Sequence, residues 1–182
     1  MSIASFALQT NFNVKNAMAS STLSDLMRVR KETIRNCMAD FENEEHRLEK
    51  VLRINGCQYI NDAQATNINA TYYALDSIED EIVWIAEGKE GLRDYKMLLP
   101  LINEKVKAII CLGENNDNLI ETFGNVVDFM IETGSIEQAV KIAYKLSRDG
   151  ETILYSPAVK ADKETENYQD KGAGFKQAVR QL

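Results

Sequence analysis

From residue 66 to the C-terminus, short apolar runs alternate with longer segments that repeat apolar positions every three or four residues. The short runs EIVWIAEG, KAIICLGE, VVDFMI and ETILYSPAV have the length and residue types of β-strands. The longer segments predict helices: TNINATYYALDSI, DYKMLLPLINEK, NNDNLIETFG, SIEQAVKIAYKLSRDG and ETENYQDKGAGFKQAVRQL. Strands that alternate with helices of this length predict an α/β fold with a mostly parallel sheet.

Proline and glycine positions refine the expected helix boundaries. Pro100 breaks or kinks the helix that contains it, because proline lacks a backbone N–H. Gly150 is expected to end the helix of residues 135–149, since glycine commonly follows a helix. Gly172 and Gly174 interrupt the pattern of the last helix.

The first 65 residues follow a different pattern. Residues 13–42 predict two helices with a break near Arg28–Arg30. The segments EKVLRI and CQYIND alternate apolar and polar residues on either side of Asn55-Gly56, a strong signal for a β-hairpin. We therefore expect a small helical appendage, residues 1–45, before an α/β domain with an N-terminal hairpin, residues 46–182.

The two appendage helices predict an apolar face that needs a partner. Each large apolar side chain left in water forgoes roughly 1.5–3 kcal/mol. We expect the helices of residues 13–42 to dock on a second copy of the chain, as a homodimer, or on a partner protein. The residues of this face are Leu23, Leu26, Met27, Ile34, Met38 and Phe41.

Composition excludes several classes of protein. A net charge of -7 with scattered basic residues argues against nucleic acid as a partner. The N-terminus lacks a basic signal-peptide region, and no apolar run reaches the roughly 18 residues of a membrane helix, so a cytoplasmic protein without a membrane partner is expected. With His46 as the single histidine, no metal site is expected. Cys37, Cys57 and Cys111 lack paired spacing and are expected to be reduced core thiols.

Polar residues cluster where the predicted parallel strands end. In such sheets ligands gather at the carboxyl ends of the strands. The segment NDAQATNINAT, residues 61–71, follows a strand and precedes a helix, which is a common place to hold a phosphate or a carboxylate. Asp62 and Thr66 have a structural alternative, because either side chain could simply begin the following helix.

Three motifs in order along the chain resemble one known family. HRLEKVLRINGCQYINDAQATN, residues 46–67, is similar to the H-R-[LF]-E, hairpin and N-D-S-K-A-T-N of the Mur ligases. FALQTNFNVKNAMA resembles the family motif G-x-H-N-x-x-N-x-x-A, and YSPAVKADKETENYQDKGAGFKQAV resembles L-S-P-A-C-A-S-x-D-x-F-x-N-[FY]-x-x-R-G-x-x-F. The resemblance implies that residues 46–182 form the Rossmann-like C-terminal domain and that residues 1–45 are a helical remnant of the central ATPase domain.

The resemblance also implies an activity and ligands. D-glutamate-adding Mur ligases use ATP and Mg²⁺ to form an acyl-phosphate and then an amide bond during peptidoglycan synthesis. By position, Asn13 and Asn16 would lie near the adenine, and Arg47 and Asp62 would contact the nucleotide. Thr66 would bind the D-glutamate carboxylate, and the remaining substrate positions fall on Gln64, Lys89 and Ala161.

The sequence departs from the family at those substrate positions. Gln64 replaces the Lys of N-D-S-K, and Ala161 replaces the Ser of A-C-A-S. The motif G-G-x-D-K-G becomes EGKEGL, which puts Glu87 at its first Gly and Gly91 at its Lys, with Lys89 two positions away. A hydrogen bond to a charged group contributes roughly 1.5–3 kcal/mol, so the loss of three such donors predicts very weak D-glutamate binding. Glu87 is expected to add a repelling charge.

The chain also lacks the motif that holds nucleotide phosphates. The pattern G-x-x-x-x-G-K-[ST] occurs nowhere in the 182 residues. We therefore expect the chain alone to be inactive and to bind neither ATP nor Mg²⁺ tightly. Two functional hypotheses remain open: a C-terminal portion of a ligase, or a stand-alone degenerate paralogue that acts as a binding or assembly module.

Overall fold

The computed structural model describes residues 11–39, 44–89, 94–159 and 167–182, and for residues 11–17 and 38–39 it describes the backbone alone. The chain divides into two compact units, 1–43 and 44–182, which are described separately. The assignment of the first unit to an ATPase-domain remnant stays a prediction.

The first unit contains the two predicted helices. Helix α1 spans Asn11–Leu26 and helix α2 spans Lys31–Ala39. The residues between them include Arg28, whose φ of 57° ends the first helix, so the predicted break near Arg28–Arg30 is confirmed. Among the described side chains of this unit, four large apolar ones are more than half exposed, namely Met18, Leu23, Leu26 and Met27.

The second unit is a six-stranded sheet with helices on both faces, as the sequence predicts. The sheet order is β1-β2-β6-β3-β4-β5, and β1 alone is antiparallel to its neighbour. The strands are β1 Glu49–Ile54, β2 Cys57–Asn61, β3 Ile82–Glu87, β4 Val106–Leu112, β5 Phe129–Thr133 and β6 Thr152–Tyr155. The helices are α3 Ile68–Ser77, α4 Leu99–Lys105, α5 Asp117–Phe123, α6 Ile136–Leu146 and α7 Tyr168–Arg180.

The predicted hairpin turn occurs at Asn55-Gly56. Both residues have positive φ, 48° and 80°, as a two-residue turn with the twist of the flanking strands requires. A Cβ on Gly56 would lie 1.7 Å from Oδ1 of Asp149, so the turn also packs against the loop before β6. This position therefore needs glycine for two independent reasons.

Alternate residues of the central strands supply two separate cores. In β3, Ile82, Trp84 and Ala86 pack in one core and Val83 and Ile85 pack in the other, because successive side chains of a strand point to opposite faces. Helices α3, α4 and α5 cover the first face, and α6 and α7 cover the second. Burial on both faces explains why β3 and β4 are continuous apolar runs in the sequence.

Several predicted details of these elements were wrong. Pro100 neither breaks nor kinks a helix, because it lies in the first turn of α4, where the missing N–H has no helical partner. Strand β5 begins at Phe129 rather than at Val126, which packs beside the core after α5. Helix α6 ends at Leu146, and Gly150 instead provides a φ of 88° in the loop before β6.

The two glycines of the last helix do not break it, since α7 continues from Tyr168 to Arg180.

The cysteine prediction holds for two of three residues. Cys57 and Cys111 are buried thiols, whereas Cys37 is exposed on α2.

Candidate functional site

Three neighbouring strands bring the candidate residues to one edge of the sheet. Although β6 is the last strand in the chain, it lies between β2 and β3. These strands are parallel, so Asn61, Tyr155 and Glu87 end side by side. The strand order reverses between β3 and β6, and ligands of open α/β sheets usually bind at such a point, outside the carboxyl ends of the strands.

Asp62 is buried at this edge and joins three segments of the chain. Its Oδ1 accepts from the backbone N–H of Leu48 at 3.1 Å, and its Oδ2 accepts from Oγ of Ser156 at 3.1 Å. The hydroxyl of Thr71 in α3 lies 2.9 Å from the same Ser156 Oγ. The carboxyl group thus ties the loop before β1 to β6 and α3.

Burial raises the pKa of Asp62 from 3.8 to about 7, and the contacts with Leu48, Ser156 and Arg47 only partly oppose it. The side chain does not begin helix α3. That role belongs to Asn67, whose Oδ1 accepts from the N–H of Ala70 at 2.9 Å. The structural alternative considered for Asp62 and Thr66 is therefore wrong for both.

His46 is a buried structural residue, whereas its neighbour Arg47 is exposed. The side-chain amide of Asn61 donates to Nδ1 of His46 at 2.9 Å, which places the ring proton of the neutral form on Nε2. The same amide lies 3.2 Å from the carbonyl of Gly172 in α7. A Cβ on Gly172 would lie 2.3 Å from His46 Nδ1, so the glycine lets α7 pack directly on the ring.

Gln64 and Thr66 lie in the loop between β2 and α3, both half-buried. The Gln64 N–H donates to the carbonyl of His46 at 3.1 Å, and its side-chain amide donates to the carbonyl of Glu45 at 3.3 Å. The N–H of Thr66 donates to the carbonyl of Gln64 at 2.8 Å. The loop is a tight turn with a neutral amide at the position where the family motif has lysine.

The sequence predicted that Glu87 adds a repelling charge at this edge, but its charge is compensated in the structure. Its Oε2 lies 2.5 Å from Nζ of Lys171, and its Oε1 accepts from the Tyr155 hydroxyl at 2.5 Å. Glu87 is buried, and because Lys171 pairs with it, the carboxylate is not a repelling charge. Lys89 follows two residues later and is half-buried.

The geometry of the remaining predicted site residues is outside what the structure describes. Asn13 and Asn16 lie in α1, in the other unit, and their side chains are outside the described part. Ala161 lies outside the described residues, as do Glu90, Gly91 and Thr165. The predicted roles of Asn13, Asn16, Arg47, Asp62, Gln64, Thr66, Lys89 and Ala161 in ligand binding stay predictions.

Glu45, His46 and Glu49 approach one another with ligand atoms within 4.8 Å, as a metal site would require. Lys176 already provides a cation there, because its Nζ lies 2.5 Å from Glu45 Oε1 and 3.1 Å from Glu49 Oε1. His46 Nδ1 is taken by Asn61. These contacts describe an ion-pair network that anchors α7 to the start of the second unit.

The residues that sequence reasoning missed are on α7 and at the end of β6. Lys171, Gly172, Phe175 and Lys176 recur at helical spacing and form the face that packs on the edge. That spacing was visible in the sequence. The residues that these lysines contact could not be predicted, because Glu87 lies 84 positions from Lys171 and Glu45 lies 131 positions from Lys176.

Comparison with known proteins agrees with the fold and the motif order. Residues 46–159 match the family model "Mur ligase, glutamate ligase domain". The chain belongs to this family of Mur ligases and corresponds to the C-terminal part of its members.

The UDP-N-acetylmuramoylalanine–D-glutamate ligase of Christiangramia forsetii is 55% identical over 182 residues, which is the whole of this chain but 41% of that relative. The chain therefore spans about two-fifths of the length of this curated relative.

Two solved structures show the same fold at low sequence identity. UDP-N-acetylmuramate-alanine ligase of Thermotoga maritima is 14% identical with a TM-score of 0.67, over 94% of this chain and 38% of that one. The Mur ligase MurF of the same organism, solved in complex with ADP, is 11% identical with a TM-score of 0.61, over 94% of this chain and 39% of that one. Among the described residues, no helix has the length and apolarity to cross a membrane.

Proposed function

We propose that this chain serves as the C-terminal portion of a D-glutamate-adding ligase of peptidoglycan synthesis and that it is not a ligase by itself. The whole reaction joins D-glutamate to UDP-N-acetylmuramoyl-L-alanine with ATP and Mg²⁺ in the cytoplasm. The family membership and the 55% identity to a D-glutamate ligase support this assignment.

The proposal of inactivity depends on positioning. Amide-bond formation needs the nucleotide, the acceptor and D-glutamate held together in reactive geometry. The 182 residues contain no phosphate loop, and the chain corresponds to 41% of its relative. ATP and Mg²⁺ are therefore ligands of the whole ligase, and neither is expected to bind this chain tightly.

The family match over residues 46–159 carries the proposal, and the loop between β2 and α3 bears on how tightly this chain by itself binds D-glutamate. Gln64 stands where the family motif has lysine, and its amide donates to the carbonyl of Glu45 rather than presenting a cation. A neutral amide binds a carboxylate more weakly than an ammonium group does, since charge-assisted hydrogen bonds are roughly twice as strong. The D-glutamate side of the site is weakened in this chain.

Release of ADP tests the proposal directly. The purified chain, mixed with ATP, Mg²⁺, D-glutamate and the muramoyl substrate, is expected to release ADP at the rate of buffer alone. The ligase of Christiangramia forsetii, assayed in parallel, provides the positive control. ADP release that requires both the muramoyl substrate and D-glutamate would contradict the proposal.

A second candidate function is a non-catalytic binding or assembly module descended from such a ligase. The specific observation in its favour is that two of the family's charged positions are neutral, at Gln64 and Gly91. The coding DNA on the 5′ side of Met1 distinguishes the candidates. A continuous reading frame that encodes a phosphate loop favours the ligase portion, and a stop codon before Met1 favours the separate module.

A further inference from the structure

Three side chains, those of Glu87, Tyr155 and Lys171, meet at the carboxyl ends of β3 and β6. The Glu87 carboxylate has one oxygen 2.5 Å from Lys171 Nζ and the other 2.5 Å from the Tyr155 hydroxyl. The side chains of Glu87 and Lys171 are 7% and 23% exposed, and Tyr155 is fully buried. An ammonium group and a phenol thus donate to the two different oxygens of one carboxylate.

The two donors are held by contacts that do not involve the Glu87 side chain. The Tyr155 ring stacks on Phe175 of α7 at a centroid distance of 5.2 Å, and Tyr155 pairs with Ile85 in the sheet. Lys171 lies in the first turns of α7, next to Gly172, which packs on His46. The backbone of Glu87 is fixed separately, by donation to the carbonyl of Pro157 at 3.2 Å.

We propose that Lys171 and Tyr155 form a binding site for a small carboxylate and that the chain's own Glu87 fills it. Paired donors on a rigid frame are how proteins recognise carboxylates. The site is closed to outside ligands while Glu87 is in place, because a single carboxylate satisfies both donors. It is separate from the loop of Gln64 and Thr66, and it does not depend on the function proposed above.

The Glu87→Ala substitution opens the site for a test. It removes a CH₂–COO⁻ fragment, which is acetate in size and charge, and leaves Lys171 without its partner. Loss of one partner of a buried ion pair is expected to lower the Tm by roughly 5–10 °C. Acetate should then bind with a dissociation constant on the order of 1–50 mM and restore at least about half of the lost Tm.

Acetate binding is measured in two ways. The Tm is recorded while sodium acetate replaces sodium chloride at constant ionic strength, and the line width of ¹³C-labelled acetate is followed by NMR. The Glu87→Ala protein should show a saturable rise in Tm and saturable line broadening. The unaltered chain should show neither, because Glu87 occupies the site.

Matched controls separate this site from general salt effects. Acetamide has the shape of acetate without its charge and should not restore the Tm. Glu87→Gln keeps the volume of the side chain and should not respond to acetate. The double variant Glu87→Ala with Lys171→Met removes both charges, so it should be more stable than Glu87→Ala and insensitive to acetate.

The proposal is overturned if acetate and chloride affect Glu87→Ala equally, or if the double variant responds to acetate as strongly as the single one. If Glu87→Ala is recovered unfolded, its refolding yield decides in the same way. A higher yield in acetate than in chloride supports the site, and equal yields overturn it. A lack of acetate binding would leave the ADP-release prediction unaffected, so the two proposals fail separately.

Discussion

Gly172 of helix α7 lies against the ring of His46 with no room for a side chain. A Cβ at this position would be 2.3 Å from Nδ1, 2.8 Å from Cγ and 2.9 Å from Cε1 of the histidine. The ring cannot move aside easily, because Asn61 binds its Nδ1 and the His46 backbone has a φ of 65°. This glycine therefore allows a close contact between a helix and a buried ring.

The Gly172→Ala substitution should destabilise the protein by about 1–3 kcal/mol, although alanine is the better helix former. Gly174 in the same helix is the matched control, since its nearest atom to a new Cβ is Ile136 Cγ2 at 3.7 Å, an ordinary contact. Gly174→Ala should stabilise the protein by up to about 1 kcal/mol. Urea unfolding of both variants measures the difference. Equal stability of the two variants would show that the His46 ring can accommodate a Cβ at position 172.

Asp62 predicts a pH dependence of stability. Its pKa is raised from 3.8 to about 7 by burial, so the folded protein binds this proton more tightly than the unfolded chain does. The contribution of Asp62 to the free energy of unfolding should therefore fall as the pH rises from about 4 to about 7. Asp62→Asn retains an acceptor for the Leu48 N–H and has no charge to bury.

At pH 8 the Asp62→Asn protein should be more stable than the unaltered chain by about 1–4 kcal/mol, and this advantage should disappear near pH 4. Urea unfolding at several pH values measures the trend, with the exposed Asp128→Asn as the control. A difference that stays constant from pH 4 to pH 8 would contradict the role assigned to Asp62.

The substrate loop predicts weak binding of D-glutamate. Titration calorimetry of the unaltered chain with millimolar D-glutamate should show no heat of binding, because Gln64 and Ala161 lack the donors of the family motif. Gln64→Lys combined with Ala161→Ser should improve the affinity by at least about tenfold. L-glutamate serves as the stereochemical control. Sub-millimolar affinity in the unaltered chain would refute this prediction.

The exposed apolar residues of the first unit predict self-association. Leu23, Leu26 and Met27 are 58%, 77% and 70% exposed, and Met18 is 59% exposed. We propose that the helices of residues 13–42 dock on a second copy of the chain, since a two-fold contact covers both faces at once. Light scattering should give a dimer for the chain and a monomer for the double variant Leu26→Glu with Met27→Glu. A monomeric, fully soluble unaltered chain would contradict the dimer.

The sheet could be predicted from the sequence because its signals are local. Each signal acts over a few residues: apolar runs such as AIICL, the Asn55-Gly56 pair and the segments with helical periodicity. The strands, the hairpin turn and the helices that they predict are all observed. Strand ends were less certain. Val126 and Val127 look like strand residues, yet they pack on the core after α5 while β5 starts at Phe129.

The site could be predicted only in part, because its contacts join distant segments. The sequence placed Asp62, Gln64 and Glu87 at strand ends, and they do lie there. It gave no sign that Lys171 neutralises Glu87 or that Asp62 binds the Ser156 hydroxyl, since these pairs depend on the insertion of β6 between β2 and β3. Long-range pairing of this kind follows from topology rather than from local pattern.

A chimeric ligase tests the central claim, that this chain is the C-terminal portion of a D-glutamate-adding ligase and is not a ligase by itself. The segment of the Christiangramia forsetii ligase that this chain matches is replaced by residues 1–182, and ADP release is measured with ATP, Mg²⁺, D-glutamate and the muramoyl substrate. The chimera should release ADP in a D-glutamate-dependent reaction, with a higher KM for D-glutamate than the intact relative because Gln64 and Ala161 lack the donors of the family motif, whereas residues 1–182 alone should release none. A folded chimera without D-glutamate-dependent ADP release would contradict the claim and favour the non-catalytic module.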